Sequence, residues 1–174
     1  GSGTALWTNA QDMVDACKAL GVDLMTMHWE ASYGEARIKE IEEKDFAGQI
    51  DIVAQNVKTT DFGDAVFKPF VMKNMNGVPV ALLGQASPYT PIANPRWQVP
   101  NWTYGHTHDG MPAPVVVKNA GGQTLVTNAG SNGKYLGVLD FDVKGGKISD
   151  FRYKLLPIFS RLLPADGEMN ALIE

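Results

Sequence analysis

Two short apolar runs bracket a strongly charged stretch early in the chain, and that order restricts the fold more than any other feature. VDLMTM (22–27) and IDIVAQN (50–56) read as buried strands. Between them, GEARIKEIEEKDFAG (34–48) reads as a helix whose Ile38 and Ile41 turn inward. Strand, helix, strand in this order implies a right-handed parallel crossover. An earlier helical stripe, AQDMVDACKALG (10–21), places Met13, Val14, Cys17 and Leu20 on one side, with Gly21 suited to the C-cap.

The pattern changes after the second strand. VFKPFVMKNMNGVPVALLGQA holds two β-like runs about Asn76-Gly77, a strong hairpin signal. PVVVKNAGGQTLVTNAG predicts a hairpin turning at Gly121-Gly122, and YLGVLDFDVKGGKISDFRYKLL another turning at Gly145-Gly146. Along 135–143, Leu136, Val138 and Phe141 predict a half-buried strand whose phase slips near Leu139. SPYTPIANPRWQVPNWTYG, rich in proline and aromatics, predicts a long surface loop. The tail LPADGEMNALIE begins a helix. The chain thus reads as an α/β N-terminal part followed by a β-hairpin-rich C-terminal part, with helices outside a sheet-based core.

With 174 residues, 44% hydrophobic and 20% charged, the chain fits one domain with a sizeable core. A net charge of −4 with scattered Lys and Arg gives nucleic-acid binding no electrostatic support. No apolar run reaches the ~18 residues of a membrane span. Cys17 is the single cysteine, so no internal disulfide forms, and its helical stripe predicts a buried thiol. The start at Gly1-Ser2-Gly3 lacks an initiator Met and a signal peptide, which fits a processed or truncated product.

Two of the three histidines stand two residues apart in GHTHDG, as His106 and His108. On a turn flanked by Gly105 and Gly110 they can diverge toward two adjacent metals; an exposed polar loop explains the same spacing. His28 ends the first predicted strand, where α/β folds place ligand groups, though a satisfied core histidine is the blander reading. Glu30 stands two residues on, where a carboxylate can orient an imidazole. Spacing alone leaves a metal site open. Asn56 ends the second strand and is read either as approaching the site or as a turn residue. Asp109 beside the histidine pair is either a supporting carboxylate or simply solvated. Arg96 and Trp97 either grip an anionic substrate or pack their own loop. Asn128 and Asn132 read as turn residues.

The frame GHTHDGMPAPVVVKNAGGQTLVTNAGSNGKYLGVLDFDV resembles the last motif and closing strands of the 5'-nucleotidase-type calcineurin-like metallophosphoesterases. HTHDGMPAP, DIVAQNVKTTDFGDAVFKPF, PYTPIANPRW and above all HWE resemble one branch of that superfamily, the SoxB sulfate thiohydrolases of bacterial thiosulfate oxidation. The resemblance covers essentially the whole chain. It implies an incomplete metallophosphoesterase-type αββα sandwich. Residues 1–163 would form a partial metal-binding N-terminal domain, and 164–174 the start of a linker helix toward an absent C-terminal domain.

Nucleotidases carry Asn-His-Glu where this chain has His28-Trp29-Glu30. By the resemblance His28 takes the metal-ligand place of the Asn, Trp29 the place of the catalytic His, and Glu30 keeps the acidic place. His106 and His108 would be ligands to two different divalent cations, manganese first and zinc as the alternative. Such a pair lowers the pKa of a water and clamps the oxyanion under attack. The implied reaction releases sulfate from a cysteine S-thiosulfonate on the SoxYZ carrier protein, in the periplasm, by a monomer that binds neither nucleic acid nor membrane. Arg96, Asn56 and Asp109 are the weaker substrate-binding candidates.

The chain also departs from the family pattern. The Asp-x-His and Gly-Asp motifs are absent, and Gly105 runs straight into His106 where a helix, a strand and a Ser-His-Asn-Gly motif are usual. Met27 replaces a usual Gly, and Ala31-Ser32 a usual Phe-Thr. These departures predict that the chain as written is inactive or nearly so. They leave two rivals: a 5'-nucleotidase-like phosphoesterase, and an inactive metal-free module.

Overall fold

The structure, a computed structural model, describes residues 8–27, 33–86, 102–103 and 109–174. These residues fall into two compact units. The first contains nearly all of the chain up to His106 together with 165–174; the second contains the tip 74–78 and residues 107–164.

In the first unit, helix α1 (Gln11–Ala19) is entered through two left-handed residues, Asn9 and Ala10, and left through Gly21 at φ 69°. Strand β1 (Leu24–Met25) and strand β2 (Asp51–Ile52) pair in parallel, Leu24 against Asp51 and Met25 against Ile52, as the crossover requires. Both strands are shorter than the apolar runs that predicted them. Val53, just past β2, also bridges Lys68 in parallel.

Between the strands, α2 (Glu35–Glu40) continues into a π-helical segment, Ile41–Asp45. The widened turn closes with the Phe46 N–H donating to the Ile41 carbonyl at 2.8 Å. A regular α-helix would place Asp45 one turn beyond Ile41. The extra residue brings Phe46 inward, and Ile38, Ile41 and Phe46 are all buried. Arg37 ties this helix to the start of α1. Its Nε donates to the Asn9 carbonyl at 2.8 Å, and its guanidinium pairs with Glu40 and Asp45 at 3.0 and 2.8 Å.

The core of this unit gathers Ala10, Val14, Met27, Ile38, Ile41, Phe46, Ile50, Ile52, Ala54, Val57, Phe67 and Ala86. Cys17 packs against it partly buried, not fully as predicted. Leu20, placed on the inward stripe by the sequence, is exposed because it is the C-cap, where the helix has already turned away. Strand β3 (Lys58–Thr59) pairs with β6 (Trp102–Thr103). Those two residues of the predicted surface loop are therefore strand, because Lys58 and Thr59 supply a backbone ladder. The remainder of the loop, 87–101, lies outside the described residues. Hairpin β4 (Phe70–Met75) and β5 (Val78–Leu83) turns at Asn76-Gly77 as predicted, both residues at positive φ. The short helix α3 (Gly167–Ile173) is capped by Asp166, whose side chain accepts from the Met169 N–H at 2.9 Å, and it packs against α1.

The second unit is two β-ribbons. In one, β7 (Val115–Asn119) pairs with β8 (Gly122–Val126). Its turn is Ala120-Gly121, one residue earlier than predicted, because Asn119 pairs with Gly122. In the other, β9 (Tyr135–Lys144) pairs with β10 (Lys147–Pro157) through Gly145-Gly146, with a bulge between Ile148 and Asp150. Val138, Leu139 and Phe141 are half-buried, so the phase slip is real. Leu136 is exposed, contrary to expectation: its cross-strand partner Leu156 is exposed too, so that end of the ribbon is uncovered. Among the described residues every sheet has two strands.

Candidate functional site

The C-terminal ends of the parallel strands are where α/β folds present ligand groups. Here that edge is built on β2 and its continuation. The N–H groups of Asp51, Val53 and Gln55, alternate residues on one side of the strand, donate to the carbonyls of Asp23, Met25 and Gly84 at 3.1, 2.9 and 3.0 Å. The first two belong to the β1 segment. Where β1 ends, Gly84 takes over. On the other side the Ala54 N–H donates to the Lys68 carbonyl at 3.0 Å.

Gly84 can take this position only as glycine. A Cβ there would lie 1.9 Å from the Val53 carbonyl oxygen. Two residues on, Asn56 binds Ala86 by both ends of its amide: Nδ2 donates to the Ala86 carbonyl, and Oδ1 accepts the Ala86 N–H at 2.8 Å. Gln55 and Gln85 add a side-chain bond at 3.1 Å. Met27 and Ala86 are both buried and belong to the same core cluster, and Asn56 is bonded to Ala86. In sequence, His28-Trp29-Glu30 follows Met27 directly.

In the second unit the chain leaving the histidine pair is fixed at Gly110, which bridges Ala129 in antiparallel fashion. The Met111 N–H donates to the Asn128 carbonyl at 2.8 Å, and the Asn128 side chain accepts from the Gly130 N–H at 3.0 Å. Asn128 is a turn residue as predicted, and so is Asn132, at φ 57°. A Cβ at Gly110 would meet the Tyr135 ring at 3.3 Å, a tight contact that the ring would have to yield to. Asp109 is exposed.

Of the predicted site residues, Asn56 and Asp109 are described, and they lie in different units. His28, Trp29, Glu30, Arg96, His106 and His108 lie outside the described residues. Among the described residues no group of three or more His, Cys, Asp or Glu side chains converges on a point that could hold a metal. The donor set the resemblance names is three imidazoles, His28, His106 and His108. Three nitrogens suit one cation of the zinc type. A two-cation centre takes roughly seven or eight ligands, several of them carboxylates, and these residues do not supply it.

The carboxylate of β2 itself is committed to two lysines. Asp51 bonds Lys68 and Lys73 at 3.0 and 3.2 Å. Its pKa is held below the ordinary carboxylate value, by the Lys68 hydrogen bond first and by Lys73 as well, against an opposing desolvation. It sits at the N-terminal end of β2, beside a depression of about 430 Å³ lined by Lys39, Glu42, Phe46 and Lys68. Its lysines are already paired, Lys39 with Glu42 at 2.7 Å and Lys68 with Asp51 at 3.0 Å.

The sequence reading passed over Gly84 and Ala86. A glycine closing an apolar strand, as in VALLGQA, signals a close backbone approach and was the available cue.

No protein-family model matches the chain, and no curated protein does. Solved structures do. The sulfate thiohydrolase SoxB of Thermus thermophilus, in complex with glycerol, superposes with a TM-score of 0.80 at 20% identity, over 99% of this chain and 39% of that one. A 5'-nucleotidase precursor, also from Thermus thermophilus, superposes with a TM-score of 0.72 at 15% identity, over 99% of this chain and 46% of that one. The chain spans less than half the length of either. Over that span it has their mixed α/β fold, the class expected from its sequence.

Proposed function

We propose that the chain carries part of the hydrolytic domain of a sulfate-thiohydrolase-type enzyme, acting on a cysteine S-thiosulfonate borne by a SoxYZ-type carrier protein in the periplasm. The supporting observation is a conjunction. The fold likeness covers 99% of the chain, and in sequence two residues separate Met25, the end of β1, from His28-Trp29-Glu30. Water adds to the sulfonate sulfur, the sulfur–sulfur bond breaks, sulfate leaves, and the persulfide sulfur left on the carrier takes a proton.

Divalent cations, manganese or zinc, would supply Lewis acidity when bound, with His28, His106 and His108 as the proposed ligands. Glu30, two residues on in sequence, is the proposed carboxylate that would orient the His28 imidazole. Trp29 offers an aromatic wall where a phosphoesterase needs a cationic group, since a sulfonate carries one negative charge fewer than a phosphate monoester. Arg96 and Asp109 are the proposed contacts to the carrier arm. Asn56 acts from behind, by holding Ala86. Three imidazoles fall short of a two-cation centre, so turnover by these residues alone is negligible.

The second reading, a 5'-nucleotidase-like phosphoesterase, is favoured by the nucleotidase likeness. Parallel assays with a carrier-bound thiosulfonate and with AMP separate the two, run on the chain itself and on a protein containing the full fold. Sulfate release by the full fold, with none from AMP, is the expected result. Phosphate release from AMP alone would overturn the proposal, and brisk sulfate release by the chain itself would overturn the three-imidazole limit.

A further inference from the structure

The chain holds two Asn-Gly pairs, Asn76-Gly77 and Asn132-Gly133, each at the centre of an exposed turn. Their backbones match. Asn76 and Gly77 have φ 52° and 86°, Asn132 and Gly133 φ 57° and 63°. What holds them differs. The first turn closes the hairpin of β4 and β5, and its Gly77 N–H donates to the Asn74 side-chain oxygen at 2.7 Å. The second lies outside any ladder, between Gly130 and β9, and is closed by the Lys134 N–H donating to the Ser131 carbonyl at 3.2 Å. Among the described residues neither the Gly133 N–H nor the Asn132 side-chain amide has a partner.

An asparagine followed by glycine can lose its own amide. The glycine backbone nitrogen attacks the asparagine side-chain carbonyl carbon. A carbon–nitrogen bond forms, the attacking nitrogen gives up its proton, and the side-chain amide leaves as ammonia. Water then opens the cyclic imide, giving aspartate by attack at one carbonyl and isoaspartate by attack at the other. Glycine permits the approach because no Cβ shields its nitrogen. A nitrogen whose N–H is already donated must first break that bond, and the turn must open before the atoms meet.

We propose that Asn132 is a spontaneous deamidation site of the folded chain, and that Asn76, with the same glycine after it, is protected by its turn. Conversion at Asn132 adds a negative charge two residues from Gly130, where the chain lies against Gly110 and the Tyr135 ring. The isoaspartate product also lengthens the backbone there by one carbon. This inference is independent of the hydrolase reading, since it needs only water.

Peptide mass spectrometry on the chain, sampled during incubation at mildly alkaline pH, tests the proposal. Trypsin places the two asparagines in separate peptides, because Lys73, Lys118 and Lys134 lie around and between them. In the folded chain Asn132 should convert at least about fivefold faster than Asn76, the rate equivalent of one net hydrogen bond. In urea, where both turns are gone, the two should convert at similar rates. Asn74→Ala, an exposed change that frees the Gly77 N–H, should raise conversion at Asn76 and leave Asn132 unaltered. The comparison of folded with urea-unfolded chain decides the matter even if that variant fails to fold. Equal rates in the folded chain, a difference that persists in urea, or no gain at Asn76 in folded Asn74→Ala would overturn the proposal.

Discussion

The side-chain amide of Asn56 clasps the backbone of Ala86 at both its N–H and its carbonyl, across thirty residues of sequence. An amide side chain satisfies two main-chain groups there, in place of a strand ladder. Ala86 is buried, so water cannot replace these bonds.

Asn56→Ala should therefore lower stability by about 1–3 kcal/mol, the range for leaving buried polar groups unpaired. Asn56→Asp keeps the acceptor, removes the donor and sets a carboxylate against the Ala86 carbonyl, so it should be no milder. Urea unfolding midpoints measure both. A loss below about 0.5 kcal/mol, the scatter of ordinary surface substitutions, would show that the clasp contributes little.

Gly84→Ala should be the more severe change. The added carbon meets the Val53 carbonyl oxygen at 1.9 Å, and that atom is backbone, so one of the two strands must move. A loss of about 3 kcal/mol or more is expected, at or beyond the upper end of overpacking. Thermal denaturation of the variant reads it; a melting temperature equal to that of the unaltered chain would mean the strands separate freely.

Asp51 gives the fold an acid-sensitive link. Its carboxyl is depressed in the folded state by Lys68 and then Lys73, so it binds protons less readily there than in the unfolded chain. The resulting stability is fully present above the ordinary carboxylate pKa and fades as pH falls through the lowered folded value. Asp51→Asn should remove that part of the acid dependence and leave the neutral-pH side flat. Unfolding midpoints collected from neutral to strongly acidic pH test this, and an unchanged acid limb in the variant would refute it.

Metal binding separates an enzyme-derived centre from a metal-free module. Manganese or zinc should raise the melting temperature with at most one equivalent bound, and His28→Ala, His106→Ala and His108→Ala should each remove the rise. Calorimetric titration supplies the stoichiometry. Two tight equivalents would contradict the three-imidazole limit. No binding would favour the module.

Much of the fold was legible in order and punctuation. Asn76-Gly77 and Gly145-Gly146 fixed two turns because both positions of each need positive φ, a local requirement that local sequence can meet. The parallel pairing of β1 with β2 followed from strand, helix, strand. The π segment was not legible: which of Asp45 and Phe46 faces inward depends on the core that receives it.

What the sequence by itself determined is the type and order of the elements and the three-histidine ceiling on imidazole ligands. What only the tertiary structure decided is coverage and long-range pairing. It set Gly84 against Val53, gave the Asn56 amide to Ala86, and left Leu136 and the β7 valines in water. Periodicity tells which residues share a face. Whether anything lies over that face is decided by segments distant in sequence, through contacts that no local pattern encodes.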